Sequence, residues 1–213
     1  MSAWTDPRFW DGIAESYALE PLSDPDATRR KLDVVRGHLG PATRLLDVGC
    51  GTGTIAIDLA PSAGEVHALD VSPAMIDIAR RKKDAAGVAN VHFHVAPADT
   101  LSGFEDGAFQ VVTAFNILHL VQEPDVLLAA MARVLAPGGV FVTSTPCLGG
   151  TWLPPYPVML PVLRWLGKAP HVTLISPDGL TERATRAGFV DVERPDVGCK
   201  APNVFLLARK PLS

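Results

Sequence analysis

Three glycines in five positions, Gly49, Gly51 and Gly53, lie within "LLDVGCGTGTIAIDLA" (45–60), with Asp47 just ahead of them. Glycine frees a backbone for tight turns and for the close approach of another group. A second acid, Asp70, stands near the end of the apolar run "EVHALDV" (65–71), seventeen residues after Gly53. A carboxylate in that place can accept both hydroxyls of a ribose, as it does in dinucleotide sites. The residues point to a ligand that contains adenosine.

The spacing argues against a dinucleotide. The dinucleotide fingerprint is G-x-G-x-x-G, whereas this turn runs Gly49-x-Gly51-x-Gly53. A pyrophosphate would lie on the N-terminus of the following helix, where anions are stabilised, and Asp47 would repel it. An acid there favours a cationic ligand end. S-adenosylmethionine carries an ammonium, a sulfonium and an adenosine but no phosphate, so it suits Asp47 and Asp70 better than NAD does.

These residues need elements to position them. Arg44 to Val48 reads as a short buried strand and Thr54 to Leu59 has a helical period. Further strands are expected at 65–71, 91–96 ("VHFHVA"), 109–116 ("FQVVTAFN") and 140–145 ("VFVTST"). Ser72 and Pro73 supply an N-cap and a first-turn proline for a helix that Gly87 ends. "EPDVLLAAMARVLAPGG" predicts a helix opened by Pro124 and closed at Pro137-Gly138-Gly139. "TRRKLDVVRGHL" places Leu32, Val35 and Leu39 at helical spacing ahead of the glycine turn. After the capped helix "SPDGLTERATRAGF", the runs "VDVE" and "NVFLLARK" are close enough to form an antiparallel hairpin. The alternation predicts an α/β fold with a parallel sheet and helices on both faces. Ligands of such folds bind at the carboxyl ends of the strands.

The chain of 213 residues, 47% hydrophobic and 20% charged, suits one domain over 1–213. Residues 1–40 form its N-terminal helical segment, and 146–175 is an apolar insert that the alternation does not explain. A net charge of -4 lacks the basic footprint of nucleic-acid binding. Cys50, Cys147 and Cys199 have no C-x-x-C spacing, so neither a zinc site nor a disulfide framework is expected, in keeping with a reducing cytoplasm. The N-terminus has no signal-like apolar segment. "TWLPPYPVMLPVLRWLG" contains four prolines and Arg164, which argues against a transmembrane segment. His92 and His94 alternate on one expected strand, but no third ligand is visible beside them, so no metal is expected.

"LLDVGCGTG" resembles the first motif of the class I S-adenosylmethionine-dependent methyltransferases. "VHALDVSPAMIDIARR" is similar to their second strand and following helix, "FQVVTAFNILHLV" to their fourth strand, and "LAPGGVFVTSTP" to the turn and fifth strand. With the N-terminal "FWDGIAESYA", the likeness is to the small-molecule, methyltransferase type 11-like branch. The resemblance implies a Rossmann-like, doubly wound, mostly parallel seven-stranded sheet with helices on both faces and a C-terminal antiparallel hairpin. It implies S-adenosyl-L-methionine as cofactor and S-adenosyl-L-homocysteine as product.

By the same resemblance, Gly49, Gly51 and Gly53 let the methionine part lie on the backbone, and Asp47 contacts its ammonium directly or through water. Asp70 holds the ribose hydroxyls, while Val71 and Met75 flank the adenine. Ala98 and Asp99 belong to the loop that reads the adenine amino group. Many members carry an acid where this chain has Pro97, which passes that contact to Asp99 or to backbone atoms. Asn116 offers its carbonyl to the ammonium, and Tyr17 closes over the cofactor. His119 faces the expected acceptor pocket and is the candidate base, although methyl transfer chiefly requires placement and a dry pocket.

The acceptor expected from the insert's Trp152, Tyr156, Met159, Leu160, Leu163 and Trp165 is small and hydrophobic or aromatic, with the insert as its lid. Packing of the insert onto the sheet or a second subunit, and peripheral membrane contact, stay open beside this, as does a monomer or a homodimer. The rival functions are an NAD-dependent oxidoreductase and a non-catalytic S-adenosylmethionine-binding protein.

Overall fold

The computed structural model describes residues 7–21, 23–99, 101–149 and 171–212. Its centre is a seven-stranded sheet made of β1 (Arg44–Val48), β2 (Glu65–Asp70), β3 (Val91–Val95), β4 (Phe109–Phe115), β5 (Leu135–Pro146), β6 (Val190–Glu193) and β7 (Asn203–Arg209). The strand order is β3-β2-β1-β4-β5-β7-β6. Strands β1 to β5 pair in parallel, whereas β7 lies antiparallel to both β5 and β6. The expected doubly wound, mostly parallel sheet with a C-terminal antiparallel hairpin is therefore present.

Alternation along the strands feeds two cores. Leu45, Val111, Val140, Val142, Phe205 and Leu207 face one side, where they meet Leu32 and Val35 of α2 (Pro25–Arg36) and Ala56 and Leu59 of α3 (Thr54–Leu59). Their neighbours Leu46, Val112, Phe141, Leu206 and Ala208 face the other side, against α5 (Pro124–Val134) and α6 (Pro177–Arg186). Residues one apart on a strand point to opposite faces, so near-continuous apolar runs such as "RLLDV" fill both cores at once. Phe141 and Phe189 stack there with ring centroids 4.8 Å apart.

The helix starts follow local chemistry. Asp24 accepts from the Ala27 N–H and Pro25 opens α2, so this helix begins before the expected "TRRKL". In α4 (Pro73–Ala86), Ser72 Oγ accepts from the Met75 N–H, and Gly87 closes the helix in the left-handed region at φ 65°. The first helix, α1 (Arg8–Leu19), packs against α4 by burying Ala14 with Met75 and Ile78.

One boundary differs from expectation. Helix α5 stops at Val134, and Leu135 already pairs with Phe109, with a register irregularity before Val111 pairs with Val140. Pro137 and the glycines thus lie inside an irregular start of β5 rather than at a helix end. Strand pairing with β4 wins over the helical period there.

Candidate functional site

The loops after β1, β2 and β4 all emerge at the carboxyl edge of the sheet, and the backbone of the glycine turn is fastened to β2. The N–H groups of Gly49 and Cys50 both donate to Leu69 O at 2.9 Å. The Gly51 N–H donates to Asp70 Oδ2 at 2.9 Å, and the Ser72 N–H to Asp70 Oδ1 at 2.9 Å. Asp70 is thereby fixed between the turn and the start of α4, with each oxygen keeping a further lone pair. Burial raises its pKa, against the pull of these hydrogen bonds.

The three glycines have different reasons to be glycine. All have positive φ, at 73°, 53° and 73° for Gly49, Gly51 and Gly53. A Cβ on Gly51 would meet only Tyr17 Cε1, at 3.8 Å, so this face of the turn is open to the cavity. A Cβ on Gly49 would come within 2.9 Å of the Ile117 side chain, and one on Gly53 within 2.6 Å of Phe93 and 2.7 Å of Ala79. Gly53 is required by packing of α3 against α4 and β3.

Asp47 is 2% exposed. Its Oδ1 accepts from Thr113 Oγ1 at 2.8 Å, while Oδ2 is buried with no hydrogen-bond partner among the described residues. Desolvation pushes its carboxyl up to about 6, partly countered by the Thr113 hydroxyl and reinforced by the nearby Asp70 charge. A buried carboxylate oxygen without a partner is costly. An ammonium in the cavity would satisfy it.

One cavity gathers Tyr17, Asp47, Gly49, Gly51, Asp70, Val71, Met75, Ala98 and Asn116 of the expected residues. Gly53, Asp99 and His119 do not line it. Asp99 borders a separate small hollow with His94, Pro97 and Leu101. Asn116 adopts φ 57° and donates its N–H to Ser144 O at 2.8 Å, which fixes the bend after β4. Burial, the Asp70 charge and the Glu20 charge hold the Tyr17 hydroxyl above its ordinary pKa, so it stays protonated.

His119 is not among the residues that line this cavity. Its Nδ1 is buried without a partner among the described residues, and desolvation lowers its pKa to about 4. The two residues that follow it, Leu120 and Val121, reach the cavity, while His119 O accepts from the Thr173 N–H at 2.7 Å and Val121 O from Thr173 Oγ1 at 2.8 Å. The expected lid falls on 146–175, of which 150–170 lie outside the described residues.

The rest of the cavity wall, Trp10, Cys50, Ile55, Phe115, Ile117, Leu120 and Val121, was not among the expected residues. Six of these are apolar, and apolar type alone does not distinguish a cavity wall from core. Trp10 had a signal in "FWDGIAESYA", where it lies one helical face from Tyr17. Burial and the Asp47 and Asp70 charges hold the Cys50 thiol well above its ordinary pKa, so it is no nucleophile. The residues present fit S-adenosylmethionine on two observations: Asp47 lines the cavity with one oxygen lacking a partner among the described residues, and the Gly51 backbone is bare toward it.

The missing third histidine is found elsewhere. His67 on β2 stands between His92 and His94, with Nδ1 3.0 Å from His94 Nε2. Among the described residues, no group of three or more His, Cys, Asp or Glu is arranged to hold a metal ion.

A sheet of this order with its cavity beyond β1, β2 and β4 defines a Rossmann-like α/β domain built for a ligand at its carboxyl edge. Residues 45–139 match a family described as a methyltransferase domain, in keeping with the resemblance of the sequence motifs to class I, S-adenosylmethionine-dependent enzymes. The ubiquinone biosynthesis O-methyltransferase of Xanthomonas axonopodis pv. citri (strain 306) is 32% identical over 139 residues, 65% of this chain and 56% of that protein. The aligned part thus spans little more than half the length of that relative. Among solved structures, the [4+2]-cyclase SpnF superposes with a TM-score of 0.77 at 21% identity, covering 100% of this chain and 97% of its own. A Haemonchus contortus phosphoethanolamine N-methyltransferase 2, in complex with phosphomonomethylethanolamine and S-adenosylhomocysteine, gives 0.78 at 19% identity, covering 99% of this chain and 61% of its own. At these identities the structural likeness speaks for the fold, which hosts more than one chemistry.

Proposed function

We propose that this protein transfers a methyl group from S-adenosylmethionine to a small, hydrophobic or aromatic acceptor. The observation that carries the reading is Asp47, a buried carboxylate in the cavity lining with one oxygen bonded to Thr113 and the other without a hydrogen-bond partner among the described residues. A cationic ligand end answers it and a pyrophosphate does not. S-adenosylmethionine supplies an activated methyl group when bound.

The chain's own residues then bind, orient and exclude water. Asp47 would hold the ammonium and Asp70 the ribose hydroxyls through the lone pairs that Gly51 and Ser72 leave free. Val71, Met75 and Ala98 would flank the adenine. Phe115, Ile117, Leu120 and Val121 give the cavity a largely apolar wall, which supports an apolar acceptor and a dry reaction site. The relatives named for ubiquinone biosynthesis agree with a hydrophobic acceptor that has a nucleophilic oxygen. His119, whose basicity burial weakens and which lies outside the cavity wall, is a poor candidate base, and placement without a base suffices for a reaction of this type.

Isothermal calorimetry with S-adenosylmethionine, S-adenosylhomocysteine and NADH tests the site, and transfer of labelled methyl to a panel of phenolic and quinol acceptors tests the reaction. Micromolar binding of the two sulfur ligands, none of NADH, and labelled product are expected. Failure to bind either sulfur ligand overturns the donor assignment; binding without turnover on any acceptor favours a non-catalytic S-adenosylmethionine-binding role.

A further inference from the structure

We infer that Asp11 is a positioning residue that fastens α1 over the donor cavity by bonding the first turn of α4. The inference rests on the donor site proposed above.

Asp11 Oδ1 accepts from Ser72 Oγ at 2.5 Å and from the Ala74 N–H at 3.2 Å. Ser72 is also the residue whose N–H donates to Asp70 Oδ1 and whose Oγ accepts from the Met75 N–H. One serine thus links the α1 carboxylate, the α4 cap and the ribose-binding acid. Its hydroxyl has a single proton, and that proton goes to Asp11 because the Met75 N–H already occupies Oγ as an acceptor.

The link has a spatial consequence for the cavity. Trp10 and Tyr17 flank Asp11 in α1 and both line the cavity, so the placement of α1 sets this wall. The other α1–α4 contacts include an apolar cluster, in which Trp10, Ile13, Ala18 and Ala74 pack against buried Ala14, Met75 and Ile78, and the Glu15–Arg81 pair at 2.8 Å. That pair is exposed, with side-chain accessibilities of 79% and 65%, and such pairs contribute little. Charge-assisted hydrogen bonds to a helix N-terminus add a directional fastening that apolar packing lacks, and Asp11 makes two of them.

The test compares wild type, Asp11→Ala, Asp11→Asn and Glu15→Ala by calorimetry with S-adenosylhomocysteine and by hydrogen exchange over residues 8–19. Asp11→Ala is expected to raise Kd about tenfold or more and to speed exchange in α1 of the free protein. Asp11→Asn keeps an oxygen able to accept both bonds and is expected to stay within about threefold of wild type; Glu15→Ala should change Kd less than about twofold. Rescue by the amide separates positioning of α1 from general loss of structure. Equal affinity of wild type and Asp11→Ala, unchanged exchange in α1, or an Asp11→Asn variant as weak as Asp11→Ala overturns the inference. A wild-type protein that binds no S-adenosylhomocysteine overturns the donor-site reading instead, while the exchange of α1 still reports on the fastening.

Discussion

Strand β2 carries two kinds of titratable side chain three residues apart, and they have been put to opposite uses. At its carboxyl end Asp70 joins Asp47 in the lining of a cavity, and one buried oxygen of Asp47 has no hydrogen-bond partner among the described residues. Earlier on the same strand, His67 sits among His92, His94, Phe104 and Phe109, with Nδ1 3.0 Å from His94 Nε2 and Nε2 3.3 Å from Glu65 Oε1. Glu65 also meets His92 Nε2 at 3.3 Å and Arg44 Nε at 2.9 Å. His67 and His94 partner each other and Glu65 lies within ion-pair distance of His67 and His92, although His67 Nε2, like Asp47 Oδ2, has no hydrogen-bond partner among the described residues. What separates the two clusters is the cavity: Asp47 and Asp70 line it and the three imidazoles do not.

The comparison is sharpest at Asp47, where the largest effect is expected. Its carboxyl rises from 3.8 to about 6 on folding, which corresponds to about 3 kcal/mol of destabilisation by the ionised form. The folded state holds the proton more tightly, so this penalty is absent below pH 3.8, accumulates as pH rises toward 6, and is complete above it. Asp47→Asn keeps an acceptor for Thr113 and removes the charge. Denaturant melts should show the variant more stable at pH 7 by up to about 3 kcal/mol and unchanged near pH 3.5, together with weaker S-adenosylmethionine binding. A variant less stable than wild type at pH 7 would break the contrast, because Asp47 would then be satisfied within the fold. Asp70→Ala comes next: loss of its charged hydrogen bonds should weaken donor affinity by about 1–3 kcal/mol by calorimetry, and unchanged affinity would remove Asp70 from the site.

Much of this was legible in the chain because the signals are local. Ser72-Pro73 before an apolar period fixes the start of α4, and glycines with acids at Asp47 and Asp70 mark the turn and its ligand end. The misread parts depend on contacts distant in sequence. Helix α5 ends at Val134 because Leu135 pairs with Phe109 on a neighbouring strand, which no local period reports. Gly53 looks identical to Gly51 in sequence, yet a Cβ on it would meet Phe93 and Ala79 rather than open space at the cavity. His67 became a neighbour of His92 and His94 only through the parallel register of β2 and β3. His119 follows an expected strand end at the right distance; it does not line the cavity, and its carbonyl accepts from the Thr173 N–H.

The smallest effect tests the other side of the contrast. Burial lowers the pKa of both His67 and His94, with Glu65 opposing the shift at His67 and the His67, His92 and Arg80 charges adding to it at His94. A depressed histidine binds fewer protons folded than unfolded just below pH 6.5, so its contribution is complete above pH 6.5 and is lost as pH falls through the lowered folded value. This slope is opposite in sign to that of Asp47 across the same range. Replacing His94 by Leu should flatten the acid-side loss of stability, change stability at pH 7 by about 1 kcal/mol or less, and leave S-adenosylhomocysteine affinity unchanged. The slope of stability against pH, read in wild type, Asp47→Asn and His94→Leu, therefore separates the two clusters. If His94→Leu instead weakened the ligand as Asp70→Ala is expected to, the imidazoles would have to be counted with the site, through the hollow that His94 shares with Pro97 and Asp99 next to Ala98.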